Sequence, residues 1–323
     1  MTDTAHAPPR ARPAVGYALV LTGAVLFIVN AGVARATIRG GIDPGTLTTV
    51  RVTGSAVVYA LWATVADRSA LRPPRGRMLA WMVLLGLVGV ALLQWTYLVA
   101  IDRLPIGIAL LLEYTAPVLI ALWARFVAHE PVGRAIWPAL GLALGGLALV
   151  AQVWEGLTFD GLGVLAGLGA AVCFATYFLV GEHGTSQQDP IRVVLWSFVI
   201  ATVVLNLIWP ITAVTADDLT RQVSLGGELA HVEVAGWLLL AWIVVPGSVL
   251  PFGFSMAALR HLPATVVSIV SMVEPIGVAA LGWLWFGESL APIQLVGGLT
   301  VLAGIVLAQR ARQVPHAEPF PPP

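Results

Sequence analysis

Three ionisable side chains stand inside otherwise apolar stretches of this 323-residue chain: Arg51 within roughly 44–66, Glu113 within 105–128 and Glu274 within 263–286. A charge left alone at such a depth in hydrocarbon costs about 2.5 kcal/mol or more, so each needs a partner or a task. Arg51 is seven residues into its stretch and Glu113 eight into its own. At the helical rise both lie about 10–12 Å below one surface, which makes an Arg51–Glu113 ion pair geometrically open. Such a pair either fastens two helices together or releases one member to an amino-acid head group. Glu274 precedes Pro275, which leaves a carbonyl one turn back without its usual donor. A protonated Glu274 either donates to a freed backbone group, or titrates in a cavity and couples cargo movement to protons.

Polar and aromatic residues at similar depth are candidate walls of such a cavity: Gln94, Trp95, Tyr97, Tyr114, Tyr177 and Asn30. Tyr and Trp can stack on a substrate while their polar ends orient it, although each taken alone reads first as lipid-facing or core packing. Pro246, Gly247 and Pro251 interrupt the eighth apolar stretch, as in a hinge or an unwound segment beside a cavity.

Other chemistries are excluded by what is missing. All seventeen cations are Arg, so neither a P-loop lysine nor a Schiff-base lysine exists. The single Cys173 permits no internal disulfide and no thiolate cluster. His6, His129, His183, His231, His261 and His316 read as termini or connections, and His129-Glu130 does not continue into HExxH. No Asp pair or Ser/His dyad lies in the apolar stretches. An enzyme is therefore not expected, nor a cofactor, a metal or a nucleic-acid partner.

The elements that must carry these residues are membrane helices. The apolar fraction is 58% and the charged fraction 11%, more apolar surface than a water-soluble fold of this length can bury. Seven stretches of at least twenty residues carry no Asp, Glu or Arg: 13–34, 78–101, 135–154, 161–181, 193–216, 234–259 and 289–309. With the three charged stretches they predict ten spanning helices. Placing the N-terminus in the cytoplasm puts twelve arginines on the inner side and four (Arg35, Arg39, Arg103, Arg221) outside, so both termini are expected to be cytoplasmic. The connection at about 213–233 is acidic, Gly141-x-x-x-Gly145 and Gly163-x-x-x-Gly167 read as close-packing motifs, and the Pro-rich end from Val314 reads as disordered.

The chain also repeats itself. Leu104-Pro105, Pro117 and Glu130 recur at an offset of 158 as Leu262-Pro263, Pro275 and Glu288. Earlier in each copy, Gly23-Ala24 matches Gly169-Ala170 and Asp43-Pro44 matches Asp189-Pro190. Five helices per copy is an odd number, so the second copy must enter the membrane from the opposite side. The fold class is an all-α membrane protein of two inverted five-helix repeats, an architecture that places a site near the midplane between the halves.

Pro117…Glu130 and Glu274-Pro275…Glu288, followed by Pro292-Ile293-Gln294-Leu295 and a Gly-rich last helix, resemble the EamA-type transporters of the drug/metabolite transporter superfamily. Ile106-Gly107-Ile108-Ala109, Leu112-Glu113-Tyr114-Thr115-Ala116-Pro117 and Ser271-Met272-Val273-Glu274-Pro275 look like its threonine/homoserine exporter branch. The resemblance implies a secondary transporter in a bacterial plasma membrane that exports small polar metabolites, amino acids foremost, with protons as coupling ion. Efflux of drugs or hydrophobic cations by the same fold is the alternative, and homodimerisation is left open. The expected parts are an N-terminal tail (1–14), the two repeats (15–152 and 161–309) and a C-terminal tail (310–323).

Overall fold

A computed structural model describes residues 12–104, 106–130, 132–154 and 160–313 of the chain. Among these residues, nine helices are long and apolar enough to cross a bilayer, and a tenth, Ile136–Val150, is apolar but shorter. In chain order they are α1 (Pro13–Arg39), α2 (Pro44–Ala66), α3 (Arg77–Leu84, Leu85–Leu92 and Leu93–Arg103 in one line), α4 (Ile106–Glu113 and Ala116–Phe126) and α5 (Ile136–Val150). The second half repeats the series with α6 (Gly161–Gln187), α7 (Pro190–Ile208), α8 (Gly236–Val244, Val245–Val249, Leu250–Ala258), α9 (Ala264–Ser271 and Val273–Phe286) and α10 (Pro292–Gln313). The protein is an all-α multi-pass membrane protein. The expected tails fall largely on residues 1–11 and 314–323, outside the described residues, as does Pro105. Helix α10 runs on to Gln313.

The internal repeat has a local cause at each matching position. Asp43 caps α2 by accepting from the Thr46 amide (2.9 Å), and Asp189 caps α7 by accepting from the Ile191 amide (3.0 Å). Each is followed by a proline that needs no donor at the first helical turn. The middle segments of α3 and α8 are π-helical. In α8 the widening coincides with Pro246, which has no N–H for the ladder. In α3 it coincides with Gly86 and Gly89, where a Cβ would press on the Ser197 carbonyl and on Tyr177.

Packing obeys the same symmetry. Gly54 of α2 admits Val244 of α8; at the mated positions, Ile200 of α7 fits over Gly86 of α3. Helices α5 and α10 lie together, with Gly146 against the Gly297 carbonyl and the Val301 amide, and Gly304 against Ala139 and Ala143. Close approach through small residues is how helices associate in lipid. This corrects one reading: a Cβ on Gly141 or Gly145 would meet nothing within 4 Å among the described residues, so that motif closes no helix contact there, whereas Gly163 and Gly167 do pack, on Leu104 and Leu112.

Two further departures stand out. The acidic α7–α8 connection is folded, with a short helix Ala216–Thr220 and an antiparallel hairpin of β1 (Gln222–Ser224) and β2 (Glu233–Ala235). Arg221 pins it by pairing with Asp217 and donating to the Gly40 carbonyl (2.9 Å). His183 does not lie in a connection but in the last turns of α6, 4.7 Å from the Trp81 ring centroid.

Candidate functional site

Helices α4 and α9 are each broken in mid-span, at Tyr114-Thr115 and at Met272. Proline dictates both breaks. Pro117 has no N–H to offer the carbonyl of Glu113 four residues back, and Pro275 none to offer that of Ser271. Glu113 and Ser271 are repeat mates. The chain responds with tighter bonds, Thr115 N–H to the Leu112 carbonyl (3.1 Å) and Met272 N–H to the Ile269 carbonyl (3.1 Å). The two breaks lie close together. From α4, the Tyr114 hydroxyl donates to Glu274 Oε2 of α9 at 3.0 Å.

Arg51, Glu113 and Glu274 come together: each lies within electrostatic reach of the other two. The Arg51–Glu113 ion pair, however, does not form. The ion pairs among the described residues are Arg35–Glu288, Arg103–Asp160, Arg221–Asp217 and Arg260–Asp189. Arg51 turns to α8 instead, because the π-helical segment brings Ser248 beside it. Its Nε donates to Ser248 Oγ at 2.9 Å, Ser248 donates on to the Ile243 carbonyl at 2.8 Å, and the guanidinium lies 5.6 Å from the Phe252 ring centroid. Both Nη groups of Arg51 and the carboxylate of Glu113 are left without a hydrogen-bond partner among the described residues. Glu274 is not bonded to a freed backbone carbonyl; its partner is Tyr114.

The other candidates sort by helix geometry. Tyr97 lines a cavity of about 720 Å³ together with Leu110 and Pro275. Trp95, two residues away on the same helix, points to nearly the opposite side and is 45% exposed on the outer, lipid-facing surface, so it does not join the group. Gln94 is half-buried. Tyr177 is buried among Phe174, Phe178 and Phe252, and its hydroxyl has no partner. Asn30 is buried against Gly247, with its Oδ1 likewise unpartnered.

The cavity opens at the end of the bundle where α1 finishes, and Arg35, Arg39, Phe286 and Glu288 form its mouth. Arg35 pairs with Glu288 at 2.6 Å, and its guanidinium sits 4.2 Å from the Phe286 centroid. Towards the other end, Phe27, Phe252, Phe198 and Tyr59 close the bundle in successive edge-to-face contacts at 5.1–5.7 Å. Tyr59 locks into α8 by donating to the Val249 carbonyl at 2.5 Å.

Sequence reasoning missed Ser248, Phe252 and the mouth residues. Glu288 carried a signal as the repeat mate of Glu130. Arg35 was visible only as a charge near a helix end; Ser248 lies in the segment that Pro246, Gly247 and Pro251 marked, but nothing singled out its own side chain.

Comparison with known proteins bears on this arrangement. Residues 14–152 and 161–309 each match the EamA-like transporter family. The threonine/homoserine exporter RhtA of Escherichia coli (strain K12) is 30% identical over 212 residues, 65% of this chain and 65% of that protein's length. A transporter of Synechocystis sp. is 24% identical over 303 residues, 88% of this chain and 87% of that protein. A solved crystal structure shares the fold with a TM-score of 0.73 at 17% identity, covering 93% of this chain and 99% of that one.

Proposed function

Because the chain belongs to the EamA-like transporter family, a family of membrane transporters rather than enzymes, we propose that it exports small amino acids of the threonine/homoserine kind from a bacterial cytoplasm by exchange with protons. The observation that carries this reading is the gathering of Arg51 with Glu113 and Glu274 of the paired helix breaks, next to a cavity that Tyr97 and Pro275 line. The unpartnered Nη groups of Arg51 take the substrate carboxylate, and the unpartnered carboxylate of Glu113 takes the ammonium group. Such a zwitterion supplies to Arg51 and Glu113 the counter-charges they do not supply to each other, which offsets the cost of holding them in a low-dielectric setting. Glu274 carries the exchanged proton: it accepts a charge-assisted bond from Tyr114 when ionised and a weaker one when protonated, so the strength of the contact between the breaks follows its charge. Both termini are cytoplasmic, and the cavity therefore faces outward. The likeness to RhtA supports the substrate class.

Efflux of labelled threonine and homoserine from proteoliposomes under an imposed pH gradient tests the reading. The wild type is expected to respond to the gradient. Unchanged efflux and unchanged pH dependence in Glu113→Gln, in Glu274→Gln and in the double variant would overturn the carboxylate mechanism.

A second reading, efflux of hydrophobic cations, draws on a different observation. The cavity shares Val150, Ala279, Leu290 and Gln294 with an apolar groove of about 400 Å³ between α9 and α10, which faces the lipid. Accumulation of cationic dyes against that of labelled amino acids, in cells with and without the protein, separates the two.

A further inference from the structure

At the end of the bundle where α1 begins, far from the charged group, Arg72, Arg75 and Arg192 line a surface cavity of about 520 Å³ together with Pro73. The loop that presents two of them is fixed in place. Asp67 accepts from the amide (2.8 Å) and the hydroxyl (2.6 Å) of Ser69, and Trp196 Nε1 donates to the Ala70 carbonyl at 3.0 Å. Arg192 spends one Nη on the Arg72 carbonyl (3.0 Å) and the other on Gln188 Oε1 (3.1 Å). Its Nε is buried and has no partner.

None of these three arginines forms an ion pair among the described residues. The nearby acids form no ion pair with them: Asp67, within electrostatic reach of Arg72 and Arg192, is hydrogen-bonded to Ser69, and Asp189 to the start of α7 and to Arg260 at 3.7 Å. Asp67 and Asp189 line the neighbouring polar cavity of about 320 Å³ and not the arginine one. Three arginines around one cavity, with Asp67 the only carboxylate coupled to two of them among the described residues, leave an excess of positive charge that an anion would offset. Their forked donors suit the oxygens of a phosphate group better than a point charge would. Arg72 and Arg75 stand in the connection between the spanning helices α2 and α3, and Arg192 in the first turn of α7, the ends of helices that meet the headgroup region of a bilayer.

We infer that Arg72, Arg75 and Arg192 form a phosphate-binding site at the membrane surface, occupied by the headgroup phosphate of an anionic phospholipid. The inference is independent of the transport mechanism, since no residue of the charged group takes part.

The test uses the full chain purified in neutral detergent. Binding is read from the thermal shift on titration with phosphatidylglycerol in mixed micelles, with phosphatidylcholine in the same micelles, and with inorganic phosphate. Phosphatidylglycerol is expected to stabilise the protein and phosphatidylcholine not to. Arg75→Gln, whose side chain makes no hydrogen bond that the loop depends on, is expected to weaken that binding about fivefold, the usual loss for one arginine near a membrane surface. Arg192→Gln is expected to weaken it further. A shift with inorganic phosphate as well supports the phosphate chemistry and widens the source to soluble phosphates. No shift with either ligand, or equal shifts in the wild type and Arg75→Gln, overturns the site.

Discussion

The Tyr114 hydroxyl donates to Glu274 at 3.0 Å, and with that one bond the broken helix of the first repeat holds the broken helix of the second. The repeat mates of these residues are Met272 and Ala116, so the symmetric frame has no second copy of the bond. A bond present once, at the axis where two interchangeable halves meet, can report the state of one group to both. Tyr114→Phe is expected to keep the fold and the cavity but to break the link between proton and cargo. Removing a hydrogen bond to a charged group costs about 1.5–3 kcal/mol. The measurable outcome is efflux in Tyr114→Phe that no longer rises with the imposed pH gradient. A gradient response equal to that of the wild type would leave the bond a structural tie only.

Arg51 is expected to govern affinity rather than coupling. Its Nε is committed to Ser248, and its terminal nitrogens carry no hydrogen bond among the described residues. Lys offers no fork, so Arg51→Lys cannot both hold Ser248 and grip a carboxylate with two parallel bonds. The expected result is a rise in KM for the amino acid of about tenfold or more at a nearly unchanged maximal rate, consistent with losing one charge-assisted contact. Ser248→Ala, which frees the Nε, is expected to move KM in the same direction by less. Kinetics of labelled-substrate efflux in the two variants decide it; a fall in maximal rate with KM unchanged would argue against a binding role.

The mouth of the cavity gives a prediction that separates stability from transport. Arg35 and Glu288 are 39% and 50% exposed at the side chain, and an exposed pair of this kind contributes about 0–1 kcal/mol. Glu288→Gln is therefore expected to leave the thermal unfolding temperature almost unchanged. Because the pair ties the end of α1 to the link between α9 and α10, its loss is expected to alter transport rate all the same. The charge exchange Arg35→Glu with Glu288→Arg should recover part of that rate. A large drop in unfolding temperature for Glu288→Gln would show that the pair braces the fold instead.

Much of this architecture is legible in the sequence because lipid imposes simple rules. Ten apolar stretches became ten helices, and Asp43-Pro44 and Asp189-Pro190 became matching helix starts. Pro117 and Pro275 became matching breaks, since a residue without an N–H acts the same wherever it stands. The charged residues were legible as a group for the same reason: hydrocarbon leaves them nowhere else to go. Their partners were not. Depth along a helix follows from counting residues, but direction around it depends on neighbours. Arg51 and Glu113 sit at equal depth without pairing, because α8 widens at Val245–Val249 and brings Ser248 to the arginine first. Trp95 was misjudged in the same way, by depth without direction.

The two glycines Gly141 and Gly146 turn that distinction into an experiment. Both lie on α5, and by type and spacing either would serve as a close-packing position. A Cβ on Gly141 would meet nothing within 4 Å, whereas one on Gly146 would stand 2.6 Å from both the Gly297 carbonyl and the Val301 amide. Those are backbone atoms of α10, which cannot swing aside as a flexible side chain would. The helices would have to separate along their contact, and the mated contact of Gly304 with Ala139 and Ala143 would open with it. Overpacking of this kind costs about 1–3 kcal/mol, and more when backbone must move. Gly146→Val is therefore expected to lower the unfolding temperature in detergent by several degrees, and Gly141→Val to leave it within error. Because α5 lines the cavity through Leu147 and Val150, Gly146→Val should also depress efflux. Equal stability of the two variants would mean that α5 and α10 are less closely joined than their glycines require.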